Sequence, residues 1–163
     1  MKKYAIPLIS WIIVAWICKV FLSSIPYKFT NHPDTQHIFG TIGSWMSGIL
    51  GQGIGDLFTR FGAYGVGSFE ILASLVLLAP ALIWLLGAIG LANSEGVRPK
   101  LHMIGGLMSS VVMTGAVFFH LFTPLGIEVL HEGKSDGGSL FYAAASILVL
   151  GIVLFFMNRQ VLR

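Results

Sequence analysis

The sequence predicts an all-α membrane protein: a four-helix transmembrane bundle, with an outer loop containing a short interfacial or re-entrant helix, in a single domain over residues 1–163. Three observations carry that reading. The chain is 55% hydrophobic and only 10% charged, where soluble domains carry about 25% charged residues. Its mean hydropathy is +0.83. The apolar residues also gather into four runs, each long enough to cross a hydrocarbon layer about 30 Å thick, which takes ~20 helical residues.

The first span covers about residues 4–25 and is expected to end at Pro26. Its start, MKKYAIPLISWIIVAWICKVFLSS, has the basic tip and apolar middle of a signal peptide. Lys19 interrupts that middle, and the segment is long enough to span, so a retained helix is the expectation. The second span covers about 65–91, with Pro80 as a kink or a tilt taking up the excess length. The third covers about 101–122 and stops at Thr123-Pro124, and the fourth covers about 140–157.

The outer loop, 26–64, starts with the polar, turn-rich PYKFTNHPDTQH and continues as an apolar stretch studded with glycines at 40, 43, 48, 51, 53 and 55. So many glycines argue against a spanning helix, and Trp45 suits the headgroup level. A short interfacial helix is expected, with a re-entrant segment as the alternative. GQGIG lacks the strand and helix that would make it a dinucleotide fingerprint. HEGKSDGG reads as a plain turn before the fourth span, and Glu128, His131, Glu132 and Asp136 there read as a solvated loop.

Orientation follows from the basic residues. Lys2, Lys3, Arg98, Lys100, Arg159 and Arg163 flank one side, and Lys28, Arg60 and Lys134 the other. The positive-inside rule then places both termini in the cytoplasm. The net charge of +3 comes from scattered residues that form no phosphate-tracking stripe, so no nucleic-acid partner is expected. Cys18 is the only cysteine, which excludes an intrachain disulfide, a CxxC redox pair and a cysteine metal cluster.

Candidate functional residues are the ionisable and polar ones inside the spans. Glu70 lies about 8 Å from the outer start of the second span and Lys19 about 10 Å from the outer end of the first, at ~1.5 Å per residue. His120 ends the third span and Tyr142 begins the fourth. All four spans thus bring such a group to the outer third of the membrane. Intramembrane charge costs about 2.5–3.5 kcal/mol and normally faces the interior of a bundle. Glu70 shares its face with Gly67, Ala73 and Ser74, and Gly105, Ser109, Met113, Ala116 and His120 form a stripe on the third span. Glu70 is therefore expected to pair with Lys19 or Lys28 and to hydrogen-bond His120 or Tyr142. That cluster either binds a ligand or handles a proton, or only locks helix register. His32, Asp34 and His37 have loop spacings a metal tolerates, but they fix no fourth ligand, and no metal is expected. No nucleophile elbow, HExxH or phosphate loop is present.

Four stretches, YKFTNHPDTQHIFGTIG, VGSFEILASLVLLAP, GAVFFHLFTPLGIEV and DGGSLFYAAASILVL, together resemble the DoxX-like bacterial membrane proteins in order and spacing over most of the chain. The resemblance implies four membrane helices, a bacterial plasma membrane, and a place in quinone-reducing, redox or stress systems or in assembly. The family-like positions are Lys28, Glu70 and His120. The segment from Ala81 to His102 is longer than the family's usual connection. Three functions follow as expectations: a subunit whose outer pocket binds a lipid-soluble ligand such as a quinone; a scaffold or assembly factor for a protein partner, with Gly51 and Gly55 at GxxxG spacing on its contact face; or a small transporter, which four helices without an inverted repeat would build only as a homo-oligomer. Whether the protein is an enzyme stays open at this point.

Overall fold

Helix accounts for nearly the whole chain in the computed structural model, which describes residues 2–131 and 133–162 and the side chains of all of these except residues 2–4 and His131. Among them run α1 (Lys2–Phe29), α2 (Pro33–Leu50), α3 (Gln52–Ala88), α4 (Val97–Phe122) and α5 (Ser139–Val161). Between α4 and α5 lies a short antiparallel ladder of β1 (Leu130–His131) and β2 (Lys134–Ser135), pairing Leu130 with Ser135. Glu132, Arg163 and the side chains of Lys2, Lys3 and His131, which entered the readings of orientation and loop, lie outside the description.

Residues Ala5–Phe29 of α1, and α3, α4 and α5, are each long and apolar enough to cross a membrane. The protein is therefore a multi-pass membrane protein. α4 packs along α3 and α5, and α1 along α3 and α5. Val14, Ile17 and Phe21 of α1, Leu77 of α3, Met113 of α4 and Ile147 of α5 fill the centre. Leu8, Leu75, Leu85, Val111 and Val149 point outward and are exposed. An apolar exterior of that extent is suited to lipid tails.

Two helix boundaries and one loop differ from the sequence expectation. α1 does not stop at Pro26 but continues to Phe29. Proline removes one backbone donor, a modest loss within the last turn, and the extension sets Lys28 on the helix one turn beyond Ser24. α3 begins at Gln52 rather than near 65, so the expected outer loop is α2 followed by the first third of a 37-residue helix. Helix propensity disfavoured this, at about 1 kcal/mol per glycine, but packing reverses it. A Cβ on Gly43 of α2 would lie 2.8 Å from the Gly55 carbonyl oxygen of α3, so the two backbones touch there. Gly51, with φ +93°, makes the sharp break between them. Gly55 therefore serves contact inside the chain, not the outward GxxxG face first assigned to it with Gly51. The loop before α5 is likewise more than a plain turn, since it carries the ladder.

His32 and Pro33 explain where α2 starts. Pro33 occupies the first turn, where its missing N–H costs nothing. His32 Nδ1 accepts the Asp34 backbone N–H at 3.3 Å. At the far side of the molecule a second close approach joins α4 to α5. A Cβ on Gly106 would lie 2.7 Å from the Gly151 carbonyl oxygen, and one on Gly151 2.6 Å from that of Gly106. Small residues let membrane helices meet backbone to backbone in this way.

Candidate functional site

The extended end of α1 brings Lys28 to Glu70. Lys28 Nζ lies 2.7 Å from Glu70 Oε2, with Glu70's side chain 4% exposed and that of Lys28 14%. Lys28 Nζ also donates to Ser24 Oγ at 2.6 Å. Ser24 Oγ stands 3.0 Å from Glu70 Oε2 and 2.7 Å from the Phe21 carbonyl oxygen. Its single proton serves one of those acceptors at a time. Gly67, one turn before Glu70, makes the approach of α1 possible, because a Cβ there would sit 2.6 Å from the Phe29 ring. The pair is therefore held by backbone placement as well as by charge.

Beside it lies a cavity of about 220 Å³. Lys28, Glu70, Ser24 and His120 are its polar lining, and Phe21, Phe39, Phe58, Phe119 and Met113 are among its apolar walls. Ile38, Phe39 and Ile42 of α2 and Leu125 of the loop after α4 also line it, and there Ile42, Leu125 and Val129 form a second buried cluster. Two contacts pin that loop. His120 Nδ1 lies 2.6 Å from the Gly126 carbonyl oxygen. Because a carbonyl oxygen only accepts, Nδ1 must carry the hydrogen, and neutral His120 keeps Nε2 as an acceptor. Asp136 accepts the backbone N–H groups of Val129, Gly138 and Leu140, each at 2.9 Å. Burial pushes the Asp136 carboxyl up, but those three bonds and one from Ser139 outweigh it and hold its pKa below the ordinary value.

A second cavity, about 430 Å³, is lined by Lys28, Asn31, Gln36, Thr59, Arg60 and Tyr64 among others. Lys28 and Phe39 line both cavities. They stand at the boundary between a polar vestibule and an apolar chamber.

Of the five residues expected at one cluster, the structure brings Lys28, Glu70 and His120 together around the chamber. Lys19 is not part of it: the residue is exposed, and its ammonium lies 5.4 Å from the centroid of Trp16. Tyr142 is exposed on α5 with its ring against Phe141. Depth alone put these two in the set; the faces of α1 and α5 take them out. His120 spends its Nδ1 on the loop carbonyl, and the hydroxyl near Glu70 comes from Ser24, which the sequence reading missed. Its one signal was position, a helical turn before Lys28. His32 Nδ1 lies 3.5 Å from Asp34 Oδ2, but among the described residues no three His, Cys, Asp or Glu side chains form a group suited to a metal.

A further polar cluster escaped the sequence reading entirely. At the opposite end of the helices, Asn158 Nδ2 donates to Ser10 Oγ at 3.1 Å, and Ser10 Oγ lies 2.6 Å from His102 Nδ1. Arg98 Nη1 donates to Asn158 Oδ1 at 3.1 Å. Ser10, His102 and Asn158 are fully buried. Ser10 Oγ can still donate to His102 Nδ1 or accept from it, and the ring's tautomer sets which, and with it whether Nε2 carries a hydrogen. That Nε2 has no well-formed hydrogen bond, although the Leu77 carbonyl, in the turn before Pro80, interacts with the ring. His102 and Asn158 each stand near the end of an apolar run, where they read as flanking residues.

No family model matches this chain, and neither a curated protein nor a solved structure does.

Proposed function

We propose that this protein is a small subunit of the bacterial plasma membrane, DoxX-like in kind, whose chamber holds the ring of a lipid-soluble ligand such as a quinone. The observation that carries the proposal is the chamber itself: an apolar cavity with the Lys28–Glu70 pair, Ser24 and His120 at its polar wall. At about 220 Å³ it is smaller than the ~300–1,000 Å³ of a drug-sized site. It therefore suits a ring-sized head with a tail running out into lipid. The Lys28 ammonium would donate to a ring carbonyl. Neutral His120 would accept a proton from a ring hydroxyl through Nε2. With no visible sequence motif for a flavin or redox metal, a redox role would draw on a partner protein or on the quinone itself.

In this reading both termini are cytoplasmic, and the Lys28–Glu70 layer faces outward. α2 lies at the outer interface, and the apolar tip it makes with α3 rests among lipids. Exposed Ile49, Leu50, Ile54 and Leu57 at that tip support the placement.

The test is to purify the protein in mild detergent and identify co-purifying small molecules by mass spectrometry and absorbance. A stoichiometric ring compound, lost in Glu70→Gln and in the chamber-filling Gly115→Leu, is the expected result. Bulk lipid alone, in a folded protein, would sink the proposal and leave Lys28–Glu70 as a structural lock. A stoichiometric co-purifying protein without a ring compound would favour the scaffold instead.

A further inference from the structure

The end of the molecule opposite the chamber carries a second cavity-bearing surface, built differently. A groove of about 350 Å³ is lined by Trp11, Pro80, Ala81, Trp84, Ser94 and Arg98. Its surface is mostly hydrocarbon and aromatic ring, with one cation at the edge. Arg98 makes one hydrogen bond, to Asn158 Oδ1, and no ion pair among the described residues. Its remaining N–H groups are available in a fork suited to phosphate oxygens.

The guanidinium is also held in place. Asn158, which anchors it, is fully buried and fixed in turn by Ser10 and by its bond to the Leu154 carbonyl at 2.8 Å. Trp11, which forms one wall, packs edge-on against His102 with ring centroids 4.6 Å apart. Trp84, the other aromatic wall, is exposed. The charge next to the groove residues in sequence is mostly positive: Lys100, two residues past Arg98, and Arg159, beside Asn158, are exposed, against the carboxylate of Glu95 in the connecting loop, which makes no ion pair among the described residues.

We propose that this groove is a binding site for an anionic phospholipid of the surrounding bilayer. Arg98 takes the phosphate, and Trp11 and Trp84 flank the glycerol and the first carbons of an acyl chain. A basic residue beside apolar walls at the end of membrane helices is the arrangement that recognises such headgroups, and indole rings settle at that depth. The lipid is favoured over a free anion because two tryptophans, a proline and an alanine line most of the groove. Since the positioning network joins α1, α4 and α5, an occupied site also braces those helices.

The experiment uses the whole protein, stripped of lipid in detergent and then offered phosphatidylglycerol, phosphatidylcholine or inorganic phosphate. Retained lipid is counted by native mass spectrometry and thermal unfolding is followed in parallel. Phosphatidylglycerol is expected to be held over phosphatidylcholine and to raise the unfolding temperature. Arg98→Gln should weaken that retention at least about tenfold, the loss of one charge-assisted contact, whereas Lys100→Gln leaves it within about twofold. Equal losses in the two variants would reduce the effect to general surface charge and overturn the site. Stabilisation by inorganic phosphate alone, to the same extent, would overturn the lipid as ligand. Should Arg98→Gln not fold, Trp84→Ala decides: its ring is exposed, so the fold survives, and unchanged phosphatidylglycerol selectivity in that variant overturns the proposal.

Discussion

The two buried polar clusters sit at opposite ends of the same helices and solve the cost of polarity in a membrane differently. The Lys28–Glu70 salt bridge is backed by one serine and borders open space. The Ser10–His102–Asn158 cluster is uncharged apart from Arg98 at its rim, and its three side chains are fully buried. The glycines report the same contrast along one helix. Gly106 of α4 presses on the backbone of α5, while Gly115, little more than two turns on, lines the chamber with nothing within 4 Å of a Cβ. One cluster joins helices and leaves its groove, with Arg98 at the edge, beside it. The other lines a chamber among the helices, so its own polar groups face the space.

The largest expected effect comes from splitting the ion pair. Lys28→Met leaves a buried carboxylate unpaired and should cost about 3 kcal/mol, while the double variant with Glu70→Leu recovers most of it. Reversible unfolding in detergent micelles measures both. A single-variant cost below that of an ordinary surface change would mean water already solvates Glu70, and the contrast with the packed end would fail. The cycle with Lys19→Met should by comparison be flat: that change stays within about 0.5 kcal/mol and adds simply to Glu70→Gln.

Next come the glycines. Gly151→Ala drives a methyl into the Gly106 carbonyl and should destabilise by about 1–3 kcal/mol. Gly115→Ala should stabilise by up to about 1 kcal/mol through helix propensity while narrowing the chamber. Equal effects at the two positions would show that the chamber collapses in solution. At the packed end, Asn158→Leu removes partners from Ser10 and Arg98 together and is expected to cost about 1–3 kcal/mol.

The smallest effect concerns the loop over the chamber. Asp136 has a folded pKa below its unfolded value of about 3.9. Its contribution is therefore complete above that value and is lost as pH falls through the lowered folded pKa. Thermal unfolding followed from about pH 5 downward should show a shallower loss in Asp136→Asn than in the parent chain. An identical profile would release the loop from Asp136, leaving only His120 and the Leu125–Val129 contacts to hold it beside the chamber.

Much of this was legible in the residues. Four apolar runs, and a carboxylate that lipid will not tolerate unpaired, place the chain in a membrane and single out Glu70 together with its four candidate partners, Lys19, Lys28, His120 and Tyr142. Apolarity is a local property, summed along the chain, and needs no knowledge of neighbours. Which candidate meets Glu70 was a matter of helix rotation. Lys28 lies past a proline that should have ended α1, yet it wins over Lys19 because its face, opened by Gly67, is turned toward α3. The glycine-rich stretch 52–64 reads as a loop by propensity and folds as helix because Gly43 and Gly55 let α2 lie against it. His102 and Asn158 look like flanking residues until α1 supplies Ser10 between them. Composition determined the solvent and the depth of the polar groups. Contact between distant helices, which exists only once they pack, decided the partners and left the space beside them.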